Sequence, residues 1–176
     1  GIRDFCLSRG LRDVYKRQVI LSSHPFALGD FIEAGGTSGT VREIGLNHTK
    51  LETANGQMIL MPNKDLSSSK IINYTVLGRR RIVRTVTASY DAPTETVMTA
   101  CMEAVEATAN ILPDPAPAVH LTDYGASSIE YTIYCWCTVE NYWPAYHSIN
   151  EKLRDTFAKH NVEMTYDHLN VHILDK

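Results

Sequence analysis

The chain has 176 residues, 44% of them hydrophobic and 21% charged, with a formal net charge of -3. That length suits one mid-sized domain or two small ones, and the negative balance argues against a dominant nucleic-acid footprint, which shows as a basic surplus. No apolar run approaches the roughly 20 residues that a membrane-spanning helix needs.

In chain order, Gly1 to Gln18 mixes Arg, Asp and Lys with scattered apolar residues. It has no signal-like apolar core and a poor period. Residues 1–23 are therefore read as an atypical or truncated N-terminal segment. From Phe31 onward short strands alternate with turns. Phe31 to Ala34 leads into Gly35-Gly36, where positive φ is expected. Gly39 to Ile44 and Thr49 to Thr53 alternate as strands. Asn55-Gly56 predicts a two-residue hairpin, with Gln57 to Met61 as the return strand before Pro62-Asn63. Lys70 to Tyr74 closes the set. Closely spaced strands with glycine turns predict a small β-barrel over residues 24–78.

The run Gly78-Arg79-Arg80-Arg81 marks a junction, and residues 79–176 form a second unit with a different pattern. Ile82 to Ala88 reads as a strand. Thr94 to Ala109 reads as a helix, with Thr94 as N-cap and an apolar stripe of Val97, Ala100, Cys101, Ala104 and Val105. Ala118 to Asp123 and Ser128 to Thr138 read as strands around Gly125, Trp143 to His160 as a second helix, and Val162 to Leu174 as a last strand. Two helices on one face of an antiparallel sheet make an α+β sandwich.

Candidate chemistry is sparse. His168 and His172 stand four apart, with His160 nearby. On a strand such a pair is about 13 Å apart, so surface histidines are expected rather than a metal site. Cys135 and Cys137 flank Trp136 more closely than a zinc pair, and are expected as half-buried core thiols. With Cys6 and Cys101 they read as free thiols rather than a disulfide framework. Ser127-Ser128 lacks the G-x-S-x-G context and reads as a turn. Gly35 to Thr40 lacks the Lys-Ser/Thr of a phosphate loop and precedes a strand. Arg79 to Arg81 with Arg84 suits a solvated junction or a subunit interface. Tyr142, Trp143, Tyr146 and Phe157 suit core or subunit packing, since a base-stacking platform needs aromatics on a sheet beside positive charge. No catalytic, cofactor-binding or metal residue is assigned, and no cofactor is expected. Two ordered domains without convergent chemistry suit assembly or conduction rather than catalysis.

Pro25-Phe26-Ala27-Leu28-Gly29-Asp30-Phe31-Ile32-Glu33 resembles the P-F-x-x-G-D/E-hydrophobic stretch of small-conductance mechanosensitive channels. Gly36-Thr37-Ser38-Gly39-Thr40-Val41 continues it, and Thr49 to Gly56 is similar to the family's hairpin. Met61-Pro62-Asn63 and Ile71-Ile72-Asn73-Tyr74 resemble its closing signature. In the second half Ser89-Tyr90-Asp91 and Leu121 to Ile129, with Gly125-Ala126-Ser127-Ser128, also match. The resemblance covers about His24 to Ile173. Its motif positions are Pro25, Phe26, Gly29, Asp30, Gly36, Gly39, Asn55, Gly56, Pro62, Asn63, Asn73 and Gly125.

The resemblance implies an Sm-like β domain followed by a ferredoxin-like domain. It implies a homoheptamer forming a vestibule on the cytoplasmic face of the cell membrane, reaching the lipid bilayer through upstream helices. It further implies release of ions and small osmolytes under tension, with no enzyme activity and no nucleic-acid partner. The alternative is a soluble ring-forming Sm-like module that binds RNA. A ligand-sensing α+β domain is a third reading. Two departures stand out. Gly1 to Gln18 does not resemble the family's Gly/Ala-rich pore helix, of which Val19-Ile20-Leu21 is the expected remnant. Thr165 and Asp167 replace prolines of the family's C-terminal element.

Overall fold

The computed structural model describes residues 25–165. They form a mixed α/β structure with antiparallel sheets, divided between Leu77 and Gly78 into two compact units.

The first unit contains strands β1 (Phe31–Ala34), β2 (Thr37–Ile44), β3 (His48–Glu52), β4 (Met58–Pro62) and β5 (Ile71–Asn73), with a one-and-a-half-turn helix α1 (Asn63–Ser68) before β5. Their order in the sheet is β4-β3-β2-β1-β5. Period-two alternation turns Ile32, Ala34, Val41 and Leu51 inward, where Phe26 and Leu66 join them in a buried core. The expected barrel is not closed by a β4–β5 ladder among the described residues, and these strands stand as the two edges. Gly35 and Gly36 form the β1–β2 turn with φ of 57° and 76°, the two positive values that a type I′ hairpin requires. The β3–β4 turn differs from expectation. Five residues separate the strands, Gly56 N–H donates to the Thr53 carbonyl at 3.0 Å, and Thr53 N–H donates to the Gln57 carbonyl at 2.9 Å. Of Asn55 and Gly56 only Gly56 has positive φ, so this is a longer loop with a left-handed glycine just before its last residue.

The second unit contains β6 (Arg79–Ala88), α2 (Thr94–Glu106), β7 (Ile111–Leu112), β8 (Ala118–Tyr124), β9 (Ile129–Thr138) and α3 (Tyr142–Lys159). The central strand β9 pairs along its whole length with β6, and with β7 and β8. Ile129, Tyr131, Ile133, Cys135 and Cys137 project from one face of β9. Both helices pack there, through Val97, Ala100, Cys101, Ala104 and Val105 of α2 and Ala145, Ile149, Leu153 and Phe157 of α3. The whole predicted stripe of α2 is buried.

Four expectations change. The strand expected from Ile82 begins at Arg79, because the arginines pair with Trp136, Cys137 and Thr138 of β9. Thr94 is not the N-cap. The Pro93 carbonyl already accepts the Val97 N–H at 3.1 Å, which places Pro93 at the cap and Thr94 in the first turn. The helix expected to reach Ala109 stops at Glu106, shortly before Asn110 turns to φ 67°. From Val162 to Thr165 the chain is not a strand, and the rest of the expected last strand lies outside the described residues.

Cys135 and Cys137 are free and fully buried rather than half-buried, because the two helices cover their face of the sheet, and Cys101 is free and buried on the sheet-facing stripe of α2. Burial pushes the Cys101 thiol up to about 12 and the Cys135 thiol up to about 11. The attacking species in thiol chemistry is the thiolate. Site-resolved maleimide labelling of these three cysteines is therefore expected to be slow in the native protein and to accelerate sharply in denaturant. Rapid native labelling of Cys101 would contradict this packing.

Candidate functional site

The motif residues of the first unit converge on two polar knots. In one, the Gly29 N–H donates to the Val41 carbonyl at 2.8 Å, and the Val41 N–H returns a bond to the Asp30 carbonyl at 2.8 Å. Gly29 has φ 90°, a conformation that suits glycine. The Asp30 Oδ2 accepts from the Ala27 N–H at 2.9 Å and from the Asn73 Nδ2 at 2.8 Å. Asn73 also donates weakly to the Pro25 carbonyl at 3.5 Å, while its Oδ1 accepts from the N–H groups of Thr75 and Val76. Residues some forty positions apart thus clasp the entry and exit of the sheet, and Phe26 seals the core beneath.

The other knot is Asn63, which is fully buried. Its Oδ1 accepts the Thr49 hydroxyl at 2.9 Å, and its Nδ2 donates to the carbonyls of Gly45 at 2.9 Å and Leu46 at 3.2 Å. Its backbone N–H donates to the Asn47 carbonyl at 2.9 Å. One asparagine therefore ties α1, the β2–β3 loop and β3 together. Pro62, exposed at the end of β4, holds the N-cap of α1. Gly39 sits where β2 crosses β3, and a Cβ there would stand 2.8 Å from the Glu52 carbonyl oxygen. Gly36 and the pair Asn55-Gly56 lie in the two hairpin turns, apart from both knots.

In the second unit Gly125 lies in the β8–β9 turn, where its N–H donates to the Ser128 carbonyl at 2.7 Å and its own carbonyl accepts the Tyr90 hydroxyl at 2.6 Å. Ser127 and Ser128 belong to this turn. The arginine run is divided by strand alternation. Arg80 and Arg84 face α3, where Arg80 lies 3.8 Å from the Tyr142 ring centre and Arg84 5.7 Å from that of Tyr146. Arg84 also donates to the Tyr146 hydroxyl at 3.2 Å. Arg79 and Arg81 face the opposite side, 5.3 Å from the Trp136 ring and 5.2 Å from the Tyr134 ring. These are within cation–π range. Phe157 is core, as the spacing suggested, whereas Trp143 is 61% exposed. The role of Tyr134 and Trp136 was missed in the sequence, though their period-two spacing matches that of Arg79 and Arg81.

Among the described residues no cluster of three metal-ligating side chains occurs. His168 and His172 lie outside them. His160 instead contacts the Glu103 Oε2 at 2.7 Å, and Lys159 donates to the Glu103 Oε1. The hydrogen bonds from His160 and then Lys159 hold the Glu103 carboxyl below its ordinary value of 4.5. A depressed carboxylate adds stability above its unfolded value, and that stability is lost as pH falls through the lower folded value. Glu103→Gln is therefore expected to flatten the loss of stability below about pH 4.5 in urea titrations. An unchanged acid limb would contradict the tie between α2 and α3.

In these features polar residues fasten turns and strand ends within each unit, and no catalytic constellation occurs among the described residues. Comparison with known proteins gives the family. Residues 16–76 match the sequence model described as the mechanosensitive ion channel beta-domain, and residues 82–164 match that of the mechanosensitive ion channel MscS C-terminal region. The chain belongs to the MscS-type mechanosensitive ion channel family.

A small-conductance mechanosensitive channel of Edwardsiella ictaluri is 30% identical over 149 residues, covering 85% of this chain and 52% of that protein. The small-conductance mechanosensitive channel MscMJ of Methanocaldococcus jannaschii is 29% identical over 182 residues, covering 98% of this chain and 52% of that protein. The crystal structure of Helicobacter pylori MscS in its closed state superposes with a TM-score of 0.88, covering 98% of this chain and 68% of that one. At 24% identity that likeness speaks for the fold. The chain spans about half the length of the curated relatives it matches. Among the described residues no helix is long and apolar enough to cross a membrane.

Proposed function

We propose that this chain is the vestibule portion of a mechanosensitive channel subunit. Residues 24–78 form an Sm-like domain and residues 79–176 a ferredoxin-like domain. Seven copies surround a chamber on the cytoplasmic face of the cell membrane, joined to the bilayer through upstream helices. Membrane tension favours the wider state of the pore, and ions and small osmolytes leave through the chamber. The chain has no enzymatic role. The observation that carries this reading is the consecutive match to both domains of one channel family. The element order β6-α2-β8-β9-α3, with β9 between β6 and β8, supports the ferredoxin-like assignment. The five-stranded antiparallel order of the first unit supports the Sm-like one.

The test is survival of hypo-osmotic shock by a bacterial host lacking its own mechanosensitive channels. Expression of the complete gene product that carries this sequence is expected to rescue the host. Failure to rescue by protein that reaches the membrane would contradict the proposal. Salt-dependent RNA binding by a soluble ring would favour the Sm-like RNA-binding alternative.

A further inference from the structure

The sheet of the second unit has one face covered by α2 and α3 and one face free of them. An antiparallel sheet that meets only water on its outer face is expected to show plain polar residues there. Here one end of that face shows Arg79, Arg81, Val83, Tyr134 and Trp136, whereas the other end carries Thr85, Thr87, Glu130 and Thr132. Val83 is 45% exposed, and both arginines are exposed. Each guanidinium lies over an aromatic ring of β9, and among the described residues neither forms an ion pair with a carboxylate. Arginine, tyrosine and tryptophan on a flat surface are the residues that dominate protein–protein binding energy.

The charge distribution identifies the complement. Residues 78–165 contain seven Lys/Arg and eleven Asp/Glu, and four of those seven cations lie between Arg79 and Arg84. The helix α2 carries Glu95, Glu103 and Glu106 and no basic residue. Its outer side holds a shallow recess of about 440 Å³ lined by Met98, Thr99, Met102, Glu103 and Glu106. That recess has a thioether floor and two glutamates at its rim, Glu106 and Glu103, the second already tied to Lys159 and His160. Methionine sulfur packs well on aromatic rings, and Glu106 on the rim is opposite in charge to the two arginines. The recess and the arginine face lie on opposite sides of the same sheet, so one molecule cannot bring its own together.

We propose that the Arg79/Arg81/Tyr134/Trp136 face of one copy docks on the α2 recess of a second copy. Different patches on the two partners make the contact heterologous, the kind that closes into a ring when the rotation between neighbours allows it. The proposal rests on the homo-oligomeric reading above and names the surfaces that would meet.

The test uses the complete gene product in detergent, with Val83→Cys on the arginine face and Thr99→Cys in the recess. Both positions are exposed or border solvent, so folding is expected to persist. A short bismaleimide is expected to give a multi-step ladder of covalent oligomers in the double variant. Each single variant should give no more cross-linking than the parent. Arg79→Glu with Arg81→Glu in that background should lower the ladder yield several-fold, and adding Glu106→Arg should restore part of it. If native mass shows an assembled ring but the double variant gives no ladder, these surfaces do not meet and the proposal falls while the ring stands. If native mass shows a monomer, the ring reading itself falls. Protection of Arg81 from arginine-specific reagent by inorganic polyphosphate, with no ladder, would assign the face to a small anion instead and overturn the proposal.

Discussion

The Asn63→Ala variant is expected to lose about 3 kcal/mol of stability in the first unit. Asn63 is fully buried and makes three side-chain hydrogen bonds, to the Thr49 hydroxyl and to the carbonyls of Gly45 and Leu46. Alanine removes all three at once. The space left is small, so the groups left behind have little access to replacement water. Each buried polar group without a partner costs about 1 to 3 kcal/mol, well above the net worth of a single bond. Thr49→Val is the informative companion, because it removes one donor, keeps the shape and leaves the two carbonyl bonds intact. Its expected cost is about 1 kcal/mol. Urea unfolding followed by a probe in the first unit measures both. Equal losses for the two variants would mean that the carbonyl bonds contribute little and that Asn63 is not the knot described.

The second large effect lies in the other unit. Phe157→Ala is expected to cost about 3 to 5 kcal/mol. Phe157 is 1% exposed on α3 and belongs to the core that joins both helices to β9. Truncation removes a ring from water-free packing and leaves a cavity that rigid strand neighbours cannot fill. Phe157→Leu keeps most of the volume and is expected to cost roughly half as much or less. Denaturant midpoints read from the second unit decide the matter. A small effect of the alanine variant would mean that α3 collapses onto the sheet more readily than its buried face implies. The two substitutions lie in separate units, and their effects on unfolding are expected to add.

The regular elements were legible because their patterns are local. Ile32, Ala34, Val41 and Leu51 announce their inward positions by alternation, and the α2 stripe by helical spacing. Features set by distant partners were not legible. The helix α1 has one apolar residue, Leu66, in six, and is too short to form on its own propensity. It exists because Leu66 docks in the core and Asn63 is held by residues fourteen to eighteen positions away. Asn63 therefore read as turn punctuation and emerged as a buried hub. The arginine run read as a junction because its charge hid its strand pairing with β9. The β3–β4 loop was misjudged because Asn-Gly signals a turn but does not fix the number of residues around it. The motif positions do different structural jobs. Asp30 and Asn73 form one clasp, Asn63 forms another, and Gly36 and Gly56 serve hairpin turns.

The central claim is that this chain is part of a tension-gated channel. The most direct measurement is current through excised membrane patches containing the complete gene product, recorded while suction raises tension step by step. The account predicts discrete openings whose probability rises steeply with tension and which are absent from patches of the same host without the gene. Patches that contain assembled protein in the membrane, yet remain silent up to the tension that ruptures the bilayer, would contradict it.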